Sequence, residues 1–348
     1  MSQLPSVDLI TPCRNRVEYL RDSLPSWLAC PQLRKIIVVD FNSTIPVIDA
    51  LGDLDGERVT VVRVEGEPIW RQGRAQNVGL GLAEADLVLK TDADVATVDI
   101  QSYVSQMGED PGIFFKGFSK LGTSSGLCLA PRRKMKATGG YHDHMSGWGG
   151  DDVDFYRRLK KRKLRALIFQ PESFHEQGQK MAGKNSEAPR LDTELIAGHQ
   201  ELARQPFFSG FRNTLLARIQ RQSKRLALRW RYTQVEGRAN LVQAELRASS
   251  SWRLQVARHS IELANILAVA YYQNTESVWE LIHSKTFRDI LEQHQLPPWS
   301  NRRERLELLS NLRDYRVRLH ELANSMDVKL AVDPTFYNPD QSPSRRLL

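Results

Sequence analysis

Two aspartates, Asp92 and Asp94, have the type and the spacing to do chemistry. They end the apolar run 87–91, and residues two apart in an extended chain project to the same side. Two carboxylates at the end of a strand can hold a hard divalent cation, which can in turn neutralise a diphosphate. The spacing alone is weak evidence, because it occurs twice more in the chain, at Asp53/Asp55 and Asp152/Asp154.

Alternating strand and helix patterns must position these aspartates. The patterns predict strands over 7–11, 35–40, 59–64 and 87–91, with helices over 14–28 and 75–83. This alternation is typical of a mostly parallel sheet with helices on both faces. Ligands of such sheets bind beyond the carboxyl ends of the strands, where Pro12, Asp40 and Asp92 are expected. Pro12 is expected to end the first strand.

A second acidic group follows at Gly147-Trp148-Gly149-Gly150-Asp151-Asp152. Glycines allow a backbone to approach a sugar closely, and Trp148 offers a flat apolar face for a sugar ring. A helix is predicted from Asp152, flanked by strands over 113–115, 126–130 and 164–169. The alternative for Asp151 and Asp152 is that they only favour the helix start, where acidic side chains suit the helix dipole.

Composition indicates a globular protein with more than one domain. The 348 residues are 41% apolar and 26% charged, enough for a substantial core. Three cysteines, Cys13, Cys30 and Cys128, form neither an even set nor a Cys-x-x-Cys pair, which favours a reducing compartment. We find no secretory signal and no apolar run of about 18 residues. The expectation is a cytoplasmic protein, with peripheral contact to the inner face of the membrane left open.

The net charge of +8 is concentrated in the second half of the chain. Residues 201–258 hold twelve Lys/Arg and three Asp/Glu, or +9, which leaves −1 for the remainder. Apolar residues at helical spacing, Leu215, Ile219, Leu226 and Trp230, predict a basic amphipathic helix there. Such a helix over 210–232 would contact anionic membrane, unless it is the solvated face of a helical bundle. Further helices are predicted over 261–272 and 308–322, the latter suited to oligomer contacts.

Five blocks in the first 190 residues resemble a known family. They are 9–16 (LITPCRNR), 36–43 (IIVVDFNS), 70–79 (WRQGRAQNVG), 91–94 (TDAD) and 147–152 (GWGGDD). In order and approximate spacing they resemble family 2-like nucleotide-sugar glycosyltransferases of the GT-A fold. The acceptor block, WGGDD, resembles that of animal β-1,4-galactosyltransferases and chondroitin-type polymerases. The resemblance implies a GT-A domain over 1–190, followed by a basic α-helical domain over 191–335 and a frayed tail over 336–348.

The resemblance implies a donor site for a UDP-sugar at the first four blocks. Its contributors would be Thr11, Pro12, Arg14, Asp40, Arg71, Arg74, Asn77 and Asp92. Asp40 would accept hydrogen bonds from a uracil or a ribose, with capping of the next helix as the alternative. Arg71 and Arg74 would meet phosphate, although one of them is expected to be only a helix residue. For Asn77 a structural role is favoured.

The resemblance also implies the metal and the chemistry. Asp94, Asp92 and His175 would hold Mn²⁺ or Mg²⁺, whereas His142 and His144 are rival histidines expected in loops. Asp152 would be the general base that deprotonates the acceptor hydroxyl, and Asp151 would hold the acceptor by hydrogen bonds. Trp148, Gly149 and Gly150 would complete the acceptor contacts.

Three readings of function remain open at this stage. The first is an inverting, metal-dependent transferase acting on a glycan, lipid-linked or protein acceptor in surface-glycan or glycoconjugate synthesis. The second is a retaining transferase, since some retaining GT-A enzymes have a similar Trp-Gly-Gly-acid block. The third is a basic helical adaptor or nucleic-acid binder. Few aromatic residues suit base stacking, so no nucleic acid is expected.

Overall fold

A computed structural model describes most of the first half of the chain and parts of the second. The described residues are 4–51, 58–67, 69–97, 99–117, 126–147, 149–176, 208–220, 228–247, 257, 260–269 and 321. The strands are β1 (Val7–Cys13), β2 (Leu33–Phe41), β3 (Val59–Val64), β4 (Leu87–Lys90), β5 (Val95–Thr97), β6 (Ile113–Lys116), β7 (Cys128–Pro131), β8 (Arg165–Ile168), β9 (Phe174–Glu176), β10 (Trp230–Gln234) and β11 (Leu241–Leu246). The helices are α1 (Val17–Leu28), α2 (Val47–Leu51), α3 (Gln72–Leu82), α4 (Gln101–Glu109), α5 (Arg132–Thr138), α6 (Asp151–Lys161) and α7 (Phe208–Ile219).

The main sheet has nine strands, in the order β10-β11-β3-β2-β1-β4-β7-β6-β8. The central pairs β3-β2, β2-β1 and β1-β4 are parallel, and β7 runs antiparallel to both β4 and β6. A separate antiparallel ribbon joins β5 to β9. The predicted fold class is confirmed as far as a mostly parallel sheet is concerned.

The apolar strands contribute side chains to two hydrophobic cores, one on each face of the sheet. Leu9 packs in one core with Trp27 of α1 and Tyr103 of α4, whereas Ile10 packs in the other with Val78 of α3. Successive side chains of a strand point to opposite faces, so a central strand buried on both faces is apolar throughout. The predicted layers of helices on both faces are therefore confirmed.

Pro12 does not end the first strand, as was expected. It pairs with Val39 of β2, and β1 continues to Cys13. On its other side β1 pairs with β4 only as far as Ile10 and Lys90. The proline therefore lies where one side of the strand has left the ladder, a position that tolerates its missing N–H.

The predicted basic helix does not extend to Trp230. Instead Trp230 begins β10, and Leu241 of β11 pairs in parallel with Val61 of β3. Alternation of Trp230 and Tyr232, followed by a turn at Gly237 with φ of +74°, is a hairpin pattern that the helical interpretation missed. The boundary predicted at residue 190 is wrong for this hairpin, which belongs to the first sheet.

The chain divides into two compact units. The first comprises 1–143, 152–184 and 229–247, and the second comprises 144–151, 185–228 and 248–348. Residues 260–269 are helical and mostly buried, as predicted for 261–272. The predicted helix over 308–322 and the tail lie almost wholly outside the described residues. Where the structure is described, no helix is long and apolar enough to cross a membrane.

Candidate active site

The loops that follow the first three parallel strands meet at one edge of the sheet. Arg14 Nη1 donates to the carbonyl oxygen of Glu67 at 3.2 Å, and Asn42 Nδ2 donates to the same oxygen at 3.0 Å. The backbone N–H of Asn15 donates to Ser43 Oγ at 3.1 Å. The carboxyl ends of parallel strands converge, so the predicted gathering of these blocks is observed.

Asp40 caps a helix at this edge. Its fully buried carboxylate accepts backbone N–H groups from Ser43 at 3.1 Å and from Val47, the first residue of α2, at 2.9 Å. Arg63 Nη1 donates to Asp40 Oδ2 at 2.8 Å. Both carboxylate oxygens are therefore used within the fold, which is the alternative raised from the sequence. The capping role of Asp40 is observed, and its predicted contact to a base or ribose stays a prediction.

Arg71 and Arg74 are buried with a shared carboxylate. Arg74 Nη1 donates to the two oxygens of Glu67 at 2.5 and 2.7 Å, and Arg71 Nη1 lies 3.7 Å from Glu67 Oε2. Arg74 Nε also donates to the carbonyl oxygen of Asp143 at 3.3 Å. These contacts give Arg74 a structural task, and its predicted contact to phosphate stays a prediction.

Of two further predicted donor residues, Asn77 serves the fold. The Asn77 amide donates to Tyr141 O and Asp143 Oδ1 and accepts from the Tyr141 N–H, at 2.7–2.9 Å. This is the structural role favoured for Asn77. Thr11 is fully buried in β1, and its Oγ1 has no hydrogen-bond partner within the described part of the chain.

Lys90 brings Asp92 and Asp152 together. The Lys90 ammonium lies 3.3 Å from Asp92 Oδ1 and 3.4 Å from Asp152 Oδ1. Gln72 Nε2, in the first turn of α3, donates to Asp92 Oδ1 at 3.0 Å. The end of β4 and the start of α6, 62 positions apart in sequence, thus share one cluster. Two of the acids predicted for donor and chemistry therefore lie on either side of one ammonium group.

Asp94 and His175 occupy neighbouring parts of the same edge. Asp94 Oδ2 lies 3.9 Å from Arg16 Nη1, with its side chain 6% exposed. His175 lies in β9 and pairs with Ala96 of β5, two residues beyond Asp94. Trp27 Nε1 anchors this ribbon by donating to the carbonyl oxygen of Val95 at 3.0 Å. The exposed His175 imidazole is thus carried on the strand beside the Asp94 turn.

The predicted metal ligands match a divalent cation in their chemistry. Carboxylates and an imidazole are donors that Mn²⁺ accepts, and Mg²⁺ prefers the carboxylates. Within the described ranges, no three His, Cys, Asp or Glu side chains come close enough to hold a metal ion. Asp92, Asp94 and His175 are therefore a fitting donor set whose side chains stand apart in this structure.

In the second unit, α7 holds the predicted acceptor loop. Asn213 Nδ2 donates to the carbonyl oxygens of Ser146 and Gly149, at 3.0 and 2.8 Å. Arg212 Nη2 donates to Ser146 Oγ at 2.8 Å. Gly150 has φ of +89°, and a Cβ there would lie 2.9 Å from Asn213 Cβ. The glycine therefore permits a close backbone approach. Trp148 lies outside the described residues.

The apolar side chains of α7 are buried in the described part of the segment 210–232, and contact of this segment with a membrane stays a prediction. Arg212 and Asn213 are 3% and 1% exposed, and Leu215 and Ile219 are buried as well. An interfacial helix needs an apolar face open to lipid. α7 instead uses its polar and apolar side chains inside its own unit.

In the first unit, aromatic contacts fix the helix that begins at Asp151 and continues through Asp152. The rings of Phe155 and Tyr141 stack with centroids 4.0 Å apart, and Tyr156 Oη donates to the carbonyl oxygen of Leu127 at 2.8 Å. These contacts set the position of the helix start relative to the sheet. The prediction of a helix from Asp152 is confirmed, to within one residue.

Lys90, Gln72, Arg212 and Asn213 were not predicted as site residues. Lys90 carried a usable signal, since it is a charged residue that ends the apolar strand Leu87-Val88-Leu89. Burial of a charge in a strand requires a charged partner. The other three are polar residues in helical segments and carried no comparable signal. His142 and His144 lie in a loop, as expected, and both are buried.

Comparison with known proteins identifies the class of one segment. Residues 118–179 match the family model described as the N-terminal domain of galactosyltransferase. This range includes Asp151, Asp152 and His175 and is less than a fifth of the chain. A search of curated protein sequences finds no significant match. The family match bears out the predicted glycosyltransferase class, while the finer family 2 likeness stays an interpretation.

Three solved structures that are similar to this chain are glycosyltransferases. Drosophila β-1,4-galactosyltransferase 7, a mutant complexed with manganese, UDP-Gal and xylobiose, is 14% identical; the alignment covers 71% of this chain and 96% of that one, with TM-score 0.44. A Pyrobaculum calidifontis mannosyltransferase with GDP-Man and Mn²⁺ is 14% identical over 94% and 89%, with TM-score 0.46. Mycobacterium tuberculosis glucosyl-3-phosphoglycerate synthase with Mn²⁺, UDP and phosphoglyceric acid is 14% identical over 57% and 78%, with TM-score 0.38. Scores this low add nothing to the fold assignment, which depends on the sheet itself.

Proposed function

We propose that this chain is an inverting, divalent-metal-dependent glycosyltransferase that moves a sugar from a UDP-sugar to an acceptor hydroxyl. Asp152 is the general base. The single observation that carries the proposal is the cluster in which Lys90 lies between Asp92 and Asp152. It joins the acid assigned to the donor with the acid assigned to the base at the carboxyl edge of the sheet, where ligands of such sheets bind.

The chemistry requires one base and one displacement. Asp152 takes the proton of the acceptor hydroxyl while that oxygen forms a bond to the anomeric carbon. The bond from that carbon to the diphosphate oxygen breaks, and its electron pair leaves with the nucleoside diphosphate. A single displacement inverts the anomeric centre. The Asp152 side chain is 20% exposed, which leaves it open to an acceptor.

Asp94, Asp92 and His175 are the residues that would hold Mn²⁺ or Mg²⁺. The bound cation would supply positive charge that stabilises the leaving diphosphate. Asp94 is held near Arg16, and Asp92 accepts a hydrogen bond from Gln72. These two contacts fix the turn that carries both carboxylates. Bound Mn²⁺ with UDP- or GDP-sugars in the solved relatives is consistent with this assignment.

Acceptor and location are proposed at the level of class. Gly149, Gly150 and Asp151 immediately precede the base, and their loop is held by α7, so they are assigned to the acceptor. A glycan or glycoconjugate precursor is the proposed acceptor class, in the cytoplasm. Screening UDP- and GDP-sugars for metal-dependent hydrolysis and transfer identifies the donor first.

Replacement of the base tests the mechanism. Asp152→Asn should lower kcat by about 10³-fold, since general-base removal typically costs 10²–10⁴-fold. Binding of UDP with Mn²⁺, measured by titration calorimetry, should stay within about threefold. Asp110→Asn, an exposed acid paired with Arg165 at the start of β8, is the matched control and should keep full activity. Equal loss of transfer and UDP binding in Asp152→Asn would remove Asp152 from the role of base.

Two further measurements test the metal and the stereochemistry. Asp94→Ala should abolish metal-dependent UDP binding, and an unchanged affinity would place the metal elsewhere. The anomeric configuration of the product, read by NMR, should be opposite to that of the donor. A product with the donor configuration would assign the chain to the retaining class instead.

A further inference from the structure

We propose that Lys90 is a positioning residue that holds the carboxylate of Asp152 in place for proton abstraction. This inference rests on the proposed function, because it assigns a task to Lys90 through the proposed base. It adds a residue that the resemblance to known glycosyltransferases did not name. The support comes from burial, from charge and from the space left by one glycine.

Burial limits what Lys90 can touch. Lys90 is 0% exposed, whereas the side chains of Asp92 and Asp152 are 37% and 20% exposed. The two carboxylates are therefore more accessible than the ammonium to a ligand bound at the sheet edge. Such a ligand meets Asp92 or Asp152 first, so the influence of Lys90 on the reaction passes through these acids.

Charge explains why such a costly group is present. Lys90 lies on the core face of β4 shared with Val88, between Ile10 of β1 and Cys128 of β7. An unpaired ammonium at this place would cost several kcal/mol, so the strand tolerates it only beside anionic partners. An apolar residue would serve packing alone. The charge is therefore better explained by its carboxylate partners than by the core.

Gly126 leaves the space in which the three groups meet. A Cβ at position 126 would lie 2.6 Å from Lys90 Nζ, 2.9 Å from Asp92 Oδ2 and 3.3 Å from Asp152 Oδ2. All three atoms are the far ends of flexible side chains, so an alanine would displace them without moving the backbone. Gly126→Ala thus perturbs the cluster while keeping the lysine.

Removal of the ammonium is the principal test. Lys90→Met keeps the length of the side chain and should lower kcat by about 10²-fold, the usual cost of misplacing a catalytic group by about 1 Å. KM for donor and acceptor and the affinity for UDP with Mn²⁺ should change by less than about threefold, because Gln72 still holds Asp92. Lys116→Met is the matched control: Lys116 pairs with the same Cys128 from β6, and its ammonium lies over the Tyr156 ring. The control should keep wild-type kcat.

A double variant shows whether Lys90 acts through Asp152. If it does, Lys90→Met in the Asp152→Asn background should cause no further loss of kcat, since residues that act as a unit are not additive. A further loss of about 10²-fold would mean that Lys90 acts independently of the base, and the proposal would fail. Circular dichroism of each variant checks that the fold is retained.

Three further outcomes would each decide against a role assigned to Lys90 or against the proposed function. An equal loss of kcat and UDP affinity in Lys90→Met would assign Lys90 to the donor side through Asp92 and overturn the proposal. If Lys90→Met does not fold, Gly126→Ala replaces it, with the same kcat loss expected and wild-type kcat contradicting the inference. Absence of transfer by the wild-type chain with every donor would instead refute the proposed function.

Discussion

Glu67→Gln should destabilise the protein strongly, because Glu67 is the shared partner of two buried guanidinium groups. The side chains of Glu67, Arg71 and Arg74 are only 3%, 3% and 5% exposed. Breaking a buried ion pair typically costs 3–5 kcal/mol, because the remaining charge is left uncompensated. The introduced glutamine would keep one acceptor oxygen, so we expect a loss near the lower end, about 3 kcal/mol. An exposed pair contributes only about 0–1 kcal/mol.

Urea unfolding measures this cost directly. With a urea dependence of about 3 kcal/mol per M, the upper end for small proteins, the midpoint should fall by about 1 M. Asp49→Asn is the control, since Asp49 and its partner Arg238 are 51% and 55% exposed. Its midpoint should change by less than about 0.3 M. A shift as small in Glu67→Gln would refute the assignment of Glu67 and Arg74 to the framework of the fold.

A compensating pair separates the structural role of Arg74 from the predicted phosphate contact. Replacing both Glu67 and Arg74 by apolar residues, as Glu67→Leu with Arg74→Met, removes the closest ion pair but leaves the buried Arg71 beside position 67. The double variant should therefore recover only part of the lost stability. If Arg74 serves only the fold, the double variant binds UDP with Mn²⁺ within about threefold of wild type. A partly recovered midpoint with UDP affinity lowered by more than about tenfold would assign Arg74 to the phosphate.

Three other changes follow from the structure. Gly150→Ala should raise the KM for the acceptor, measured by kinetics, and lower the free energy of unfolding by about 1–3 kcal/mol, measured in urea. The reason is that φ at this position is +89° and the new Cβ would lie 2.9 Å from Asn213 Cβ. Burial would raise the pKa of the Asp154 carboxyl, but the charges of Arg158 and His142 outweigh burial and lower that pKa. Asp154→Asn should therefore reduce the free energy of unfolding by about 1–3 kcal/mol at pH 7. The difference from wild type should begin to shrink below about pH 4, near the unfolded-state pKa, and should vanish only below the lower folded-state pKa. Burial raises the pKa of Cys13 to about 12, so iodoacetamide at pH 8 should label it, as followed by mass spectrometry, only after unfolding.

Local sequence patterns sufficed for most of the central sheet. The segment Ile36–Val39 is continuously apolar and β-branched, and the strand Leu33–Phe41 contains the predicted range 35–40. The same logic located β3, β4 and α6, since each has a strong period of its own. The short elements β5, α2 and α5 were missed. These elements have only three to seven residues of mixed composition, which is too short to show a hydrophobic period. Their structure is therefore decided by tertiary contacts.

The β10–β11 hairpin shows where local pattern was misleading. Leu226 and Trp230 continue the helical spacing set by Leu215 and Ile219, yet Trp230 lies in a strand. Parallel pairing of Leu241–Ala244 with Val61–Val64 supplies hydrogen bonds that a helix at this place would not have. That partner lies about 180 residues earlier. No local window contains it, so the tertiary contact overrides the local preference.

The candidate site divides in the same way between local and distant information. Asp92, Asp94 and Asp152 could be selected from sequence, because acids at the end of a strand and the start of a helix are local features. Asp40 was selected too, but its hydrogen bonds to Ser43 and Val47 are also local and already explain it. When both oxygens of a carboxylate accept hydrogen bonds within the fold, no ligand is needed to explain the presence of that residue. An acid that a distant ammonium holds at a partly open edge, as Lys90 holds Asp152, is placed for chemistry.

The contrast between Lys90 and Arg74 indicates how a buried cation can be interpreted. Both are enclosed and both face carboxylates, but the partner of Arg74 is 3% exposed, whereas the partners of Lys90 are 20% and 37% exposed. An ion pair that is closed to solvent on both sides contributes first of all to the stability of the fold. A buried cation whose carboxylate partners are partly exposed can influence, through these carboxylates, a ligand that binds to them. Glu67→Gln should therefore lower the stability of the protein more than its activity. Lys90→Met should lower the activity more than the stability. The opposite order in both variants would contradict the distinction.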